Sequence, residues 1–365
     1  MEDMVIENKL DMFNNFYKDK VVLVTGHTGF KGSWLSIWLN ELGAKVIGYG
    51  LDPYTQEDNF VVTDLKNEII NIRGDIRDED KLNEVFNLYK PEIVFHLAAQ
   101  PLVRLSYEKP KETYDINVMG TLNVLECVRK SDSVAVGVMI TTDKCYENKE
   151  QIWSYREDDA MGGYDPYSSS KGCAEILIAS YRSSFMNPKD YKKHGKAIAS
   201  VRAGNVIGGG DWSKDRIIPD CIRALMASEP IEVRNPKAVR PWQHVLEPLY
   251  GYLLLASKMY QNGTVYSEGW NFGPDYESIV TVEEIVHLII ENWGNGKYID
   301  LSNKQTMHEA SLLSLDCTKA KTLLKWLPKL SIIQAVEYTV EWYKDYGKGN
   351  CYDFCVDQIN DFCKV

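Results

Sequence analysis

The sequence predicts a doubly wound α/β fold: a parallel sheet with helices on both faces and a smaller C-terminal region beside it. Three observations carry this. Short apolar runs of strand length alternate with stretches whose apolar residues recur at helical spacing, the pattern of βαβ units. A glycine-rich turn, Gly26, Gly29 and Gly32, stands directly between the first such run and the first such helix. The 365 residues, 44% of them hydrophobic, suffice for a large core in one big domain or two closely joined ones.

In chain order, residues 21–24 are wholly apolar, as a buried parallel strand requires. Trp34, Leu35, Trp38, Leu39 and Leu42 mark a helix that Gly43 closes. Residues 44–51 read as the next strand, ending at Asp52, and 68–73 as a third before a helix over 78–89. Pro91 introduces a strand over 92–99. Val118, Leu122, Leu125 and Val128 mark a helix, and 134–142 is again a continuous apolar strand. The helix over 167–181 carries Ala174, Leu177, Ile178 and Tyr181 on one face, and a strand over 196–203 follows. Beyond it, Gly208, Gly209 and Gly210, then Asn235-Pro236, mark loops. Residues 223–226, 245–260 and 282–293 look helical. The expected division is a nucleotide-binding domain over 18–204 and a substrate region over 205–345, part of which crosses back to the sheet. An appendage without a motif occupies 346–365.

A net charge of −11 leaves no basic excess for phosphate backbones, so nucleic acid is not an expected partner. The eight cysteines are scattered without Cys-x-x-Cys or zinc-type spacing, which favours reduced thiols and no metal site. The first 20 residues are polar and acidic, and no apolar run approaches a membrane span. A soluble cytoplasmic protein is expected.

The glycine turn has the context that makes a dinucleotide fingerprint credible, a strand before it and a helix after. Gly26 allows the tight turn, Gly29 admits a pyrophosphate to the backbone, and Gly32 permits close packing of helix on sheet. The helix N-terminus then faces the phosphates, the Rossmann arrangement. The spacing Gly-x-x-Gly-x-x-Gly is one residue longer at its start than the common form. Asp52, about twenty residues after the last glycine, is placed to grip a ribose diol and to repel a 2′-phosphate, favouring NAD over NADP. Asp75 is a candidate acceptor for the adenine amino group, Ile76 for packing on the ring. Ala98 and Ala99 are small enough to lie beneath a cofactor.

Tyr167 and Lys171 stand four residues apart, so a helix puts them on one face. An ammonium beside a phenol favours phenolate and would lower the tyrosine pKa towards working pH. Such a pair takes the proton from an alcohol while hydride leaves the same carbon. Thr25 to Gly32, His96-Leu97-Ala98-Ala99-Gln100, Asn117 within Asp115-Ile116-Asn117-Val118, and Tyr167 with Lys171 together resemble the extended short-chain dehydrogenase/reductase family. That resemblance implies NAD held permanently in the site by Gly26, Thr28, Gly29, Phe30, Gly32, Asp52, Asp75, Ile76, Ala98, Ala99, Asn117, Tyr167 and Lys171. It implies oxidation and reduction of nucleotide-linked sugars, with Thr142 bonding the reacting hydroxyl and Lys171 also holding the nicotinamide ribose.

Three further segments resemble the branch that acts as 4,6-dehydratases on CDP-glucose. They are Thr141 to Tyr146; Gly208 to Trp212 with Asp215 to Asp220; and Arg234-Asn235-Pro236 running into Val239 to Pro248. This similarity spans roughly residues 18 to 340. A dehydratase needs two proton-transfer groups beyond the threonine, tyrosine and lysine. Related dehydratases carry Asp-Glu at this place, whereas this chain carries Asp143-Lys144. Asp143 is the expected acid for the C6 oxygen and Lys144 the group serving the C5 proton; a lysine is a base only when neutral, which burial would promote. Lys144 as mere orienter or enolate stabiliser is the alternative. Arg216, Arg234 and Arg240 are candidates for the diphosphate, since guanidinium suits bidentate phosphate recognition, and Asn205 is a candidate substrate contact. Rival readings are a nucleotide-sugar 4-epimerase, which would make Asp143 and Lys144 bystanders, and an NAD-binding regulator without catalysis. Relatives pair through the helices after Asn117 and from Tyr167, so a homodimer or homotetramer is expected.

Overall fold

The computed structural model describes residues 12–302 and 313–365; residues 1–11, half of the polar leader, lie outside them. Among the described residues thirteen strands run in chain order: β1 Val21–Thr25, β2 Lys45–Gly50, β3 Ile70–Arg73, β4 Ile93–His96, β5 Val136–Ile140, β6 Ala197–Arg202, β7 Val206–Ile207, β8 Ile231–Val233, β9 Val239–Pro241, β10 Gln243–His244, β11 Gly269–Asn271, β12 Ile279–Thr281 and β13 Tyr298–Asp300. The helices are α1 Phe30–Glu41, α2 Asn59–Val62, α3 Glu79–Tyr89, α4 Val103–Glu108, α5 Pro110–Tyr114, α6 Thr121–Lys130, α7 Pro166–Ser184, α8 Tyr191–His194, α9 Ile217–Met226, α10 Leu246–Gln261, α11 Gly263–Tyr266, α12 Val282–Trp293, α13 Ile332–Asp345 and α14 Cys351–Lys364.

Seven strands form one sheet in the order β11-β6-β5-β4-β1-β2-β3, and every neighbouring pair is parallel. β1 lies between β2 and β4, with Val22 opposite both Val46 and Ile93. The strand order reverses there, and α/β sheets bind ligands outside the carboxyl ends at such a switch point. β5 is buried at every residue, the pattern of a strand covered on both faces. Apolar side chains collect into two clusters. Leu23, Val94 and Met139 belong to one with Leu125 of α6, whereas Val22, Phe95 and Val138 belong to the other with Trp34 of α1 and Leu253 of α10. The alternation along each strand therefore supplies both faces of one sheet.

Local chemistry sets the ends of the elements that carry the site. Asp165 accepts from the Ser168 N–H and Pro166 occupies the first position of α7, so that helix begins just before Tyr167. Thr281 with Glu284 and Ser331 with Gln334 form capping boxes that start α12 and α13. The chain after β6 builds three two-stranded pieces, β7 with β10, β9 with β12 and β8 with β13, while β11 returns to the main sheet beside β6. The residues after 346 are no featureless appendage. α14 packs on α1, with Phe362 edge-on to Trp38 at 5.8 Å and the Tyr352 hydroxyl donating to Glu41 at 2.8 Å.

Candidate active site

The glycine turn behaves as a cradle. Gly26 has φ +74°, and a β-carbon there would lie 2.7 Å from the Ala98 nitrogen; one on Gly32 would lie 2.1 Å from the Gly26 oxygen. Both positions therefore demand glycine. Gly29 caps α1 without a side-chain hydrogen bond, leaving the first-turn N–H groups free towards the groove. Those free donors and the two forced glycines fit a dinucleotide pyrophosphate. Thr28 donates to the Leu51 carbonyl at 2.9 Å, tying the turn to the end of β2, and Phe30 packs near Gly208.

Among the residues expected at the adenosine end, Asp52 lies two residues beyond β2, exposed, and pairs with Arg73 at 3.0 Å. Asp75 accepts from the Arg77 side chain and backbone, and these bonds hold its carboxyl below the usual range. Ile76 is buried against Gly120. Ala98 and Ala99 follow β4. Asn117 is used by the protein itself: its amide accepts from Gln100 N at 2.8 Å and donates to the Gln100 carbonyl and to Ser170 Oγ. It thus fixes the loop carrying Ala98 and Ala99 to α7.

At the expected reaction centre, Thr142, Asp143, Tyr167 and Lys171 are all buried, and Lys144 is half-buried. The Thr142 hydroxyl donates to Asp143 Oδ1 at 2.9 Å, and its polar interaction with the Tyr167 phenol acts to lower that group's pKa. Asp143 leans against Gly204, where a β-carbon would lie 2.0 Å from its Oδ2. The Tyr167 N–H donates to Ser106 Oγ of α4 at 3.1 Å. Lys171 Nζ reaches the Ile140 carbonyl at 3.5 Å.

The expected depression of the Tyr167 pKa is not found in the free protein. Burial pushes the phenol up to about 12; Thr142 and Arg216 pull it down, and Asp143 pushes it further up. Loss of solvent outweighs those charges. Burial acts on Lys171 in the opposite sense, lowering it to about 8 against an upward pull from the Glu175 carboxylate one helical turn away.

Lys31, half-buried in the first turn of α1, is coupled electrostatically to Lys171, Arg216 and Asp143, and the sequence reading passed over it. It too falls to about 8, through burial first and then through Lys171 and Arg216, with Asp143 opposing. A signal was present: a lysine in the first turn of a helix stands at the positive end of the dipole, the wrong sign for stability. Arg216 pairs with Asp211 at 2.9 Å and acts electrostatically on Tyr167. Asn205 has φ +29°, and its buried amide nitrogen lacks a hydrogen-bond partner. Arg234 pairs with Asp215, and Arg240 lies half-buried on β9. Behind Thr142, Glu175 accepts from Thr141, Ser200 and Arg202, a buried network that steadies the strand ends. No group of metal-ligating side chains occurs among the described residues, and no helix among them is long and apolar enough to cross a membrane.

The chain is 51% identical over 349 residues to a CDP-glucose 4,6-dehydratase of Salmonella typhimurium, covering 95% of this chain and 97% of that protein. Its structure is similar to a UDP-glucose 4-epimerase of Thermotoga maritima solved with UDP-glucose, at TM-score 0.74 and 25% identity, covering 89% of this chain and 99% of that one. A dTDP-glucose 4,6-dehydratase of Bacillus anthracis solved with NAD superposes at TM-score 0.73 and 23% identity, over 90% and 98% of the two chains. The family model described as GDP-mannose 4,6 dehydratase matches residues 23–339. Because that match runs unbroken from the glycine turn through Thr142, Tyr167 and Arg240, the chain belongs to the GDP-mannose 4,6 dehydratase family.

Proposed function

We propose that the protein is an NAD-dependent CDP-glucose 4,6-dehydratase that forms CDP-4-keto-6-deoxyglucose. What supports this is the sequence pair Asp143-Lys144, with Asp143 hydrogen-bonded to Thr142 and acting electrostatically on Tyr167, in a chain 51% identical to a CDP-glucose 4,6-dehydratase. NAD, when bound, supplies the acceptor for the C4 hydride and later its donor to C6. Thr142 holds the C4 hydroxyl while Tyr167 takes its proton, and protonated Lys171 favours the phenolate. The resulting ketone acidifies C5. Lys144 removes the C5 proton and Asp143 protonates the C6 hydroxyl, which departs as water. A proton then returns to C5 as C6 is reduced, so the sugar loses one water overall.

Asn205, Arg216, Arg234 and Arg240 contact the sugar and diphosphate in this reading. The protein works in the cytoplasm, as a homodimer or homotetramer built on α6 and α7 with the turn before α6. Met119 and Ile176 are exposed on those segments, which supports the pairing.

Mass spectrometry of protein incubated with CDP-glucose and NAD in heavy water tests the reading. Loss of one water, one deuterium at C5 and no net NADH are expected. An unchanged mass with a C4 epimer would assign an epimerase, and tight NAD binding without turnover of any sugar nucleotide would assign a non-catalytic regulator. Lys144→Ala should retain C4 oxidation but lose C5 exchange with solvent; persisting exchange would remove Lys144 from the base role.

A further inference from the structure

We propose that Arg104 and Arg234 form a two-part site for the substrate diphosphate, and that Asp215 occupies both guanidinium groups in the free protein until the diphosphate displaces it. The inference rests on the nucleotide-sugar reading above and adds Arg104 and Asp215 to it. Arg104 Nη1 lies 3.0 Å from Asp215 Oδ1, and Arg234 Nη1 lies 3.1 Å from the same oxygen. Two guanidinium groups thus converge on one carboxylate oxygen, an arrangement that suits a phosphate oxygen equally well. Arg234 also approaches Asp220 at 3.6 Å, and Asp220 is shared with Arg223. Three arginines therefore face two carboxylates, leaving one positive charge over.

The cluster adjoins residues that act on Tyr167. Arg104 is on α4, whose Ser106 accepts the N–H of Tyr167, and Asp215 adjoins Arg216, whose charge acts on Tyr167. A nucleotide sugar with its hexose against Tyr167 carries its diphosphate about one sugar ring further out, towards this cluster. The three side chains are 38%, 43% and 35% exposed for Arg104, Asp215 and Arg234, so the bridge is open to an incoming anion. An ion pair this exposed contributes little to stability. Asp215 also adopts φ +62°, a left-handed conformation that a non-glycine residue leaves without penalty. Arg104 comes from the sheet side of the cleft, and Asp215 and Arg234 from the chain after β6. Exchange of carboxylate for diphosphate would keep both sides joined through the ligand.

The test uses the full-length NAD-loaded protein, with CDP and cytidine as binding probes and CDP-glucose for kinetics. Arg104→Gln and Arg234→Gln should each weaken CDP binding by about 10- to 100-fold, with the loss falling on KM, and leave cytidine binding in place. Asp215→Asn should act in the opposite direction, tightening CDP by roughly three- to tenfold, and that gain should vanish in the Arg104→Gln/Arg234→Gln background. Weaker or unchanged CDP binding by Asp215→Asn overturns the proposal, as does a gain that survives without the two arginines. If the binding pattern holds but CDP-glucose is not turned over, the dehydratase reading fails and the clamp stands. If CDP-glucose is turned over with KM unmoved in Arg104→Gln, the clamp fails alone.

Discussion

Lys171, proposed here as a member of the proton-transfer pair, works against the stability of the fold that holds it. Its ammonium is enclosed, and burial lowers it from the ordinary 10.5 to about 8. Below pH 8 the folded and unfolded states are both protonated, and the full cost of burying the charge is present. Between about 8 and 10.5 the folded state has shed the proton while the unfolded chain keeps it, so this group's effect on stability improves as pH rises. Lys171→Met keeps the volume and removes the charge, and Glu175 retains Arg202 as its partner. The variant should be more stable near neutral pH by roughly 1–3 kcal/mol, with the difference fading towards pH 10.5, and should lose sugar oxidation. Chemical denaturation at the two pH values decides it; a variant less stable at neutral pH would show that the ammonium is stabilised by the site. Tyr167→Phe should cost about 10²- to 10⁴-fold in turnover with little change in unfolding midpoint; retained turnover would remove the phenol from the proton path.

The segments after β5 and β6 build the centre together, and Gly204 is where they meet. Asp143 follows β5 and Gly204 follows β6, with room for no β-carbon between them. Gly204→Ala should push the Asp143 carboxylate off Thr142 and slow dehydration by about 10²-fold, more than it slows C4 oxidation, so that NADH accumulates during turnover. Unchanged turnover without NADH build-up would show that the carboxylate position is unimportant. This contact joins residues 61 apart in sequence, and no local pattern announces it. Most sheet strands through β6 were legible as short apolar runs, β3 (Ile-Asn-Ile-Arg) being the exception, and α7 because Ala174, Leu177, Ile178 and Tyr181 recur on one face. α4 and α5 were not: Arg104, Ser106 and Glu112 interrupt any apolar stripe, and these helices exist through tertiary packing on α7. The Tyr167–Lys171 spacing was readable as a motif, but the sign of the phenol shift depended on burial, which a sequence does not show.

At the scale of the whole molecule, the C-terminal helix is a brace for the cofactor helix. Phe362 of α14 is buried against Trp38 of α1, and its carbonyl accepts from Lys329 Nζ at 3.1 Å. Cys355 accepts from the Trp342 indole of α13 at 3.3 Å and donates to Asn59 of α2 at 3.5 Å. Asn59 in turn donates to Ser33 of α1 at 2.9 Å, and its N–H meets the Gly210 carbonyl. α14 therefore touches α1 and the segment after Asp52, and reaches the loop before Asp211 through Asn59. Phe362→Ala removes the largest apolar contact in this brace and should destabilise the protein by about 3–5 kcal/mol. It should also loosen α1 and weaken NAD binding. Ligand stabilisation scales with the logarithm of concentration over Kd, so the rise in unfolding free energy produced by saturating wild-type levels of NAD should be smaller in the variant. Denaturation with and without NAD separates the two effects. A variant that loses stability yet keeps the full NAD increment would make α14 a brace for the fold alone; a reduced increment makes the tail part of the cofactor site.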